Sequence, residues 1–175
     1  MILVIIQSMI TDKNKVLKVL KAALVDAYYT RFSYCITAFE CELFNDNLGI
    51  SAYIVFSEVE LENKIEWKKW IDSYPFNIDN CNGPEEPARA FLMGLLTQVS
   101  IQDVEEEKDG TLIVIFQNGM RIRLVGETEV EDTSWNIEFR NSDGERIGNC
   151  TCSFNEMFLT VSEELSKMLR LPHYS

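Results

Sequence analysis

Hydrophobic and polar positions recur with two different periods along the chain, and these periods divide it into helical and extended segments. After Thr11-Asp12, a pair suited to cap a helix N-terminus, Val16, Leu17, Leu20, Leu24 and Tyr28 follow at helical spacing, with Lys13, Lys15, Lys18 and Lys21 nearby. This predicts an amphipathic helix over residues 12–28. The pattern then alternates, with Cys35, Thr37, Phe39, Cys41 and Leu43 set against Ile36, Ala38, Glu40 and Glu42. With the turn Asn45-Asp46-Asn47-Leu48-Gly49 behind it, this predicts a hairpin over residues 33–58. Residues 60–74 return to helical spacing, with Leu61, Ile65, Trp70, Ile71 and Tyr74 on one face. The first third therefore reads as helix, hairpin, helix.

Tyr74–Pro87 is rich in Asn, Pro and Gly and marks a loop, with Glu85 and Glu86 placed for the positive end of the next helix dipole. Phe91, Leu92, Leu95, Leu96 and Val99 then predict a buried helix over residues 88–98. Two hairpin turn signals follow. Asn118-Gly119 lies between the apolar runs 111–117 and 120–126, and Asp143-Gly144 lies between residues 134–140 and 145–153. The second register sets Ile137 opposite Cys150 and Trp135 opposite Cys152, which places both thiols on the apolar side with Phe139. Phe158, Leu159, Leu165, Met168 and Leu169 suggest a closing helix over residues 156–170. The expected class is α+β: an antiparallel sheet of hairpins in the C-terminal half with helices on one face, joined to an N-terminal helix-hairpin-helix portion. The length of 175 residues fits a single domain, or two sublobes divided near residues 75–87.

Composition narrows the chemistry. With 46% hydrophobic residues the chain is globular, and its net charge is −12. The acids are uneven: residues 1–83 hold 8 Lys and Arg against 11 Asp and Glu, whereas residues 84–175 hold 8 against 17. Such a surface repels nucleic acid and anionic membrane and attracts basic partners. Five cysteines without a Cys-x-x-Cys motif suit a reducing, cytoplasmic compartment. The apolar start Met1–Gln7 has no basic lead and no cleavage site, and it reads as a buried strand or the lead-in to a helix.

Catalytic motifs are sparse. The single histidine, His173, lies three positions from the end, and Cys150-x-Cys152 lacks the further ligands that zinc requires. Glu105-x-Glu107-x-Asp109-Gly110 echoes a calcium loop without its first or twelfth ligand. There is no phosphate-binding glycine loop. Arg121 and Arg123 alternate along one strand face, where their stems can cover apolar surface and their heads can pair with local carboxylates. The expectation is a non-enzyme without cofactor or metal.

The acids themselves remain. Carrying the Asn118-Gly119 hairpin outward with Gln117 opposite Met120 pairs Asp109 with Thr128, Glu107 with Val130 and Glu105 with Asp132. Glu105, Glu106, Glu107 and Asp109 then meet Glu127, Glu129, Glu131 and Asp132 at the open end, where like charges oppose sheet pairing. These eight residues are the candidate partner-binding surface. The stretch Asp109–Gly119, followed by Thr133-Ser134-Trp135-Asn136-Ile137-Glu138-Phe139, resembles small bacterial immunity proteins, the antidotes of contact-dependent and polymorphic toxins. The resemblance spans residues 95–165. It implies a cognate toxin domain, commonly a nuclease, as sole partner, and it supplies no catalytic motif; a monomer is the favoured state. The alternative is a non-catalytic adaptor or ligand-binding module, which would show an apolar pocket or groove. An enzyme working through carboxylates alone would show acids with raised pKa converging in a cleft.

Overall fold

A computed structural model describes residues 8–35, 38–73, 85–126 and 133–171. Among these residues the strands form two antiparallel sheets. The larger runs in the order β1 (Ser8–Ile10), β11 (Glu156–Val161), β10 (Arg146–Ser153), β9 (Thr133–Arg140), β4 (Ile50–Phe56), β3 (Ala38–Asn45) and β2 (Tyr28–Cys35). The smaller runs β5 (Val59–Leu61), β8 (Arg121–Leu124), β7 (Leu112–Phe116) and β6 (Ile101–Glu106). Strands from both halves of the chain share each sheet, since β4 lies beside β9 and β5 beside β8. Four helices complete the described elements: α1 (Lys13–Leu24), α2 (Lys64–Ile71), α3 (Glu85–Leu95) and α4 (Glu163–Met168). None is long and apolar enough to cross a membrane.

The α1 helix begins where Asp12 accepts a hydrogen bond from the Lys15 N–H at 3.0 Å. It buries Val16, Val19, Leu20, Ala23 and Leu24, packing against β6 of the small sheet and β3 and β11 of the large one. Asn45, itself buried, donates through Nδ2 to the carbonyls of Ala23 and Val25, satisfying groups that the helix end leaves open. The chain then leaves the helix through Asp26 at φ +67°. Backbone hydrogen bonds from the Asp26 N–H to the Ile101 carbonyl and from the Ile101 N–H to the Ala27 carbonyl join the two sheets at this corner.

In the large sheet the apolar alternation decides the buried face. Phe39, Cys41 and Leu43 of β3, Ala52, Ile54 and Phe56 of β4, and Trp135, Ile137 and Phe139 of β9 all point inward. The expected pairs Ile137–Cys150 and Trp135–Cys152 are present, with both thiols buried.

Besides the helix expected over residues 88–98, which is α3 at Glu85–Leu95 and leaves Phe91 and Leu95 exposed, four expectations change. The first helix stops at Leu24, and residues 28–35 become a third N-terminal strand, so this part is mostly strand and not a helix-hairpin-helix unit. Glu60 and Leu61 belong to β5, so α2 starts only at Lys64, capped by Asn63. The buried residue on α2 is then Trp67, and Ile65 is exposed. Residues 156–161 are strand β11, not helix, because Phe154 (φ +51°) and Asn155 (φ +65°) form a two-residue left-handed turn that sends the chain back along β10. Met157, Leu159 and Val161 then alternate into the core.

The fourth change concerns the acidic hairpin. Phe116, and not Gln117, faces Met120, which shifts the register by one residue. The loop is Gln117-Asn118-Gly119 with Gly119 at φ +84°, the three-residue hairpin form in which glycine takes the left-handed position. Asp103–Glu107 is moreover not the outward continuation of β7. The chain reverses at Lys108-Asp109-Gly110, and Glu105 lies on β6 opposite Ile113. Asp109-Gly110, with Gly110 at φ +78°, was itself a turn signal.

Candidate functional site

The outer face of the small sheet is built from side chains of one parity. Glu60 of β5 pairs with Arg123 of β8, Arg123 with Ile113 of β7, and Ile113 with Glu105 of β6. One step along, Arg121 is opposite Ile115 and Ile115 is opposite Asp103. The alternate positions, Leu61, Ile122, Val114 and Val104, point to the opposite, core face. A polar ladder therefore sits on an apolar sheet.

Each arginine at its centre is shared between two carboxylates. Arg121 forms a two-point hydrogen-bonded pair with Glu62 and reaches Glu105 at 2.9 Å. Arg123 pairs with Glu60 and reaches Glu107 at 2.6 Å. To make the second contact each guanidinium must cross β7, passing over Ile113 and Ile115. Ile113 is buried there although it lies outside the main core cluster. This is the stem-covers-apolar, head-pairs-carboxylate arrangement expected of the two arginines. Four glutamates face two arginines, leaving an excess of two negative charges.

The remaining acids of this region are engaged elsewhere. Glu106 points to the opposite side and pairs with Lys13 of α1 at 2.9 Å, and Asp103 pairs with Lys21 at 2.8 Å. Asp109 accepts the Thr111 N–H at 3.0 Å and closes the β6–β7 turn. Of the eight residues expected to form the surface, the structure brings Glu105 and Glu107 together on the ladder and places Glu106 and Asp109 off it. Glu127, Glu129, Glu131 and Asp132 lie outside the described residues. Glu60 and Glu62 are additions. Their alternation, Glu58-x-Glu60-x-Glu62, matched that of Arg121-x-Arg123, but a helical assignment of residues 60–74 hid it.

Electrostatics favour the charged form of three acids in this region, Glu62, Asp103 and Asp109. The Arg121 guanidinium beside Glu62 holds its carboxyl below the usual carboxylate range. Lys21 does the same for Asp103. Burial works to raise Asp109, but hydrogen bonds from the Thr111 N–H and hydroxyl outweigh it and the net direction is down. Carboxylates held this way carry charge near neutrality and do not serve there as proton donors. Burial raises the thiols of Cys41 and Cys150 and pushes Cys152 up to about 11, which keeps these sulfurs in the weakly nucleophilic thiol form. Among the described residues no group of three His, Cys, Asp or Glu side chains could hold a metal ion.

A second polar constellation lies on the open face of the large sheet. Tyr53 donates to Glu42 at 2.7 Å, the Arg140 guanidinium sits 4.7 Å from the Tyr53 ring centre, and Arg140 pairs with Glu138 at 2.6 Å. The cavity it lines is about 220 Å³. That is below the roughly 300–1,000 Å³ of drug-sized ligand sites. The chain matches no protein-family model, and no curated protein or solved structure matches it.

Proposed function

We propose that this chain is an immunity-type protein that binds and neutralises a cognate basic toxin domain, a nuclease in the first instance, through the acidic outer face of its small sheet. The observation that carries the reading is the ladder of Glu60, Glu62, Glu105 and Glu107 around Arg121 and Arg123, with its excess negative charge. Strands β5 and β6 and the residue after each hold these carboxylates in rows, and an enzyme that acts on a polyanion presents cations where the phosphates would lie. A fixed negative surface attracts such a domain and blocks the substrate path in the same act. The segment between Gly126 and Thr133 adds Glu127, Glu129, Glu131 and Asp132 to the chain leaving β8. On this reading the protein acts in the cytoplasm, as a monomer and without catalysis. The small cavity at Tyr53 gives the adaptor or ligand-binding alternative little support, whereas the larger groove between α2 and the β7–β8 turn suits that alternative as well as it suits an inhibitor.

The test is genetic. The reading frame beside this one is expressed alone and together with this chain. The expected result is growth arrest by a small basic product and relief of that arrest by this chain. A neighbour that is harmless, or whose toxicity this chain leaves unchanged, would overturn the reading.

A further inference from the structure

A ladder of exposed ion pairs supplies attraction but little affinity, and a tight complex needs an apolar anchor close by. Beside the ladder, between α2 and the β7–β8 turn, the structure holds a groove of about 590 Å³, within the size range of occupied ligand sites. Its floor is apolar: Leu61, Trp70 and Met120, each half-buried against the core. Its rim is charged, with Glu62, Glu66, Lys69 and Arg121. Glu62 and Arg121 belong to the ladder as well, so groove and ladder share a border. Both walls are firmly placed. The Glu62 N–H donates to the Arg121 carbonyl, Asn63 caps α2 through the Ile65 and Glu66 N–H groups, and Asn118 accepts the Met120 N–H at 3.0 Å. Trp70 is fixed from behind by Trp67 and Phe91, with ring centres 6.4 and 5.7 Å away.

We infer that this groove is the anchor site of the partner interface. It takes one aliphatic or aromatic side chain from a basic protein segment, whose flanking lysines or arginines meet Glu62 and Glu66. The chemistry of the occupant follows from the border. Arg121 is already held by Glu62 and Glu105, so with Glu66 and Lys69 counted this edge holds three acids against two cations and favours a basic segment over an acidic one. The inference rests on the toxin-inhibitor reading for the identity of the partner, but not for the chemistry of the site.

The experiment uses the full chain labelled with 15N and three short peptide amides: lysine–leucine–lysine, lysine–glycine–lysine and glutamate–leucine–glutamate. The Trp70 indole and Gly119 amide resonances should shift saturably with the first. Binding should be about tenfold weaker with the second, as loss of a buried leucine side chain dictates, and absent with the third. Met120→Lys, which fills the floor with a cation, should abolish the response while leaving the circular dichroism spectrum unchanged. Equal binding of the glycine peptide, shifts confined to other residues, or a response that survives Met120→Lys would each overturn the groove. If these peptides leave Trp70 and Gly119 unmoved while the chain still relieves the neighbouring toxin, the groove falls and the inhibitor reading stands. If they bind as expected without any relief, the inhibitor reading falls and the site for basic apolar segments stands.

Discussion

The indole Nε1 of Trp135 donates to the carbonyl oxygen of Gly110 at 3.0 Å, tying the centre of the large sheet to the turn that starts the ladder strand β7. Trp135 is buried, and its N–H can only donate, so this carbonyl satisfies the indole while fixing the β6–β7 turn. A side chain at Gly110 would press on the Cys152 sulfur, so that glycine is required by contact as well as by its left-handed backbone. Trp135→Ala should cost ~3–5 kcal/mol, the range for a large buried aromatic. Trp135→Phe keeps most of the apolar volume but leaves the Gly110 carbonyl without its donor, and should cost ~1–3 kcal/mol. Urea unfolding of the two variants checks both values, and an unchanged midpoint for the alanine variant would contradict the burial.

Gly126 approaches the same turn backbone to backbone. Its N–H donates to the Thr111 hydroxyl at 2.9 Å, and its carbonyl accepts the Ser134 hydroxyl. A methyl group here would overlap the main chain at Asp109, Gly110 and Thr111, which cannot move aside as a flexible side chain could. Gly126→Ala should therefore destabilise by at least the ~1–3 kcal/mol of ordinary overpacking. Thermal unfolding measures the loss. Gly119→Ala has open space around it and should cost only its left-handed backbone preference.

What could be read in advance follows from which signals were local. The burial of Trp135, Ile137 and Phe139 and their opposition to Cys150 and Cys152 were legible, because a period-two pattern and an Asp-Gly turn determine a register together. Residues 156–161 were misread because Phe158 and Leu159 are adjacent, which suits a helix as well as a strand. The deciding feature was the unusual Phe154-Asn155 turn. The ladder was half legible. The pairing role of Arg121 and Arg123 followed from their alternation, but their partners Glu60 and Glu62 are about sixty residues away in sequence, and only sheet topology brings them together. The sharing of both sheets by the two halves of the chain is likewise non-local and leaves no mark on the hydrophobic pattern.

Acid should weaken the fold through the carboxylates whose partners are built in. Glu62, Asp103 and Asp109 have folded pKa values below their unfolded ones. A group lowered in this way contributes stability that is fully present above the unfolded value of about 4 and is lost as pH falls through the folded value. The urea midpoint should thus stay level from neutrality to about pH 5 and drop below about pH 4. Arg121→Gln removes the cation that lowers Glu62, so this variant should start less stable at neutral pH and lose less on acidification. An identical acid limb in the two proteins would show that the pair contributes nothing to it.

The thiols should be reduced and slow to react. Cys41, Cys150 and Cys152 are free, buried and raised in pKa by that burial. A thiol reagent at neutral pH should leave these three unmodified in the native protein, and denaturation of freshly purified material should release all five cysteines of the chain. Fast native modification of Cys150 or Cys152 would contradict the packing of β10, and stable disulfides would place the protein in an oxidising compartment.

The last prediction separates attraction from anchoring in the proposed partner complex. Replacing Glu60, Glu62, Glu105 and Glu107 with Gln removes the negative charge of the ladder. Exposed pairs are individually worth only ~0–1 kcal/mol, so the effect should fall on the association rate and not on dissociation. Association at low salt should slow by about tenfold, and its salt dependence should flatten. Arg121→Gln alone should do the opposite: it frees Glu62 and Glu105 from their shared cation, increases the local negative charge and speeds association. Stopped-flow mixing with the proposed basic partner at two ionic strengths measures both. The opposed signs matter, because damage to the sheet would slow association in either variant. If both variants associate as fast as the native chain at low salt, the ladder serves only to cover Ile113 and to hold β5, β8, β7 and β6 in register.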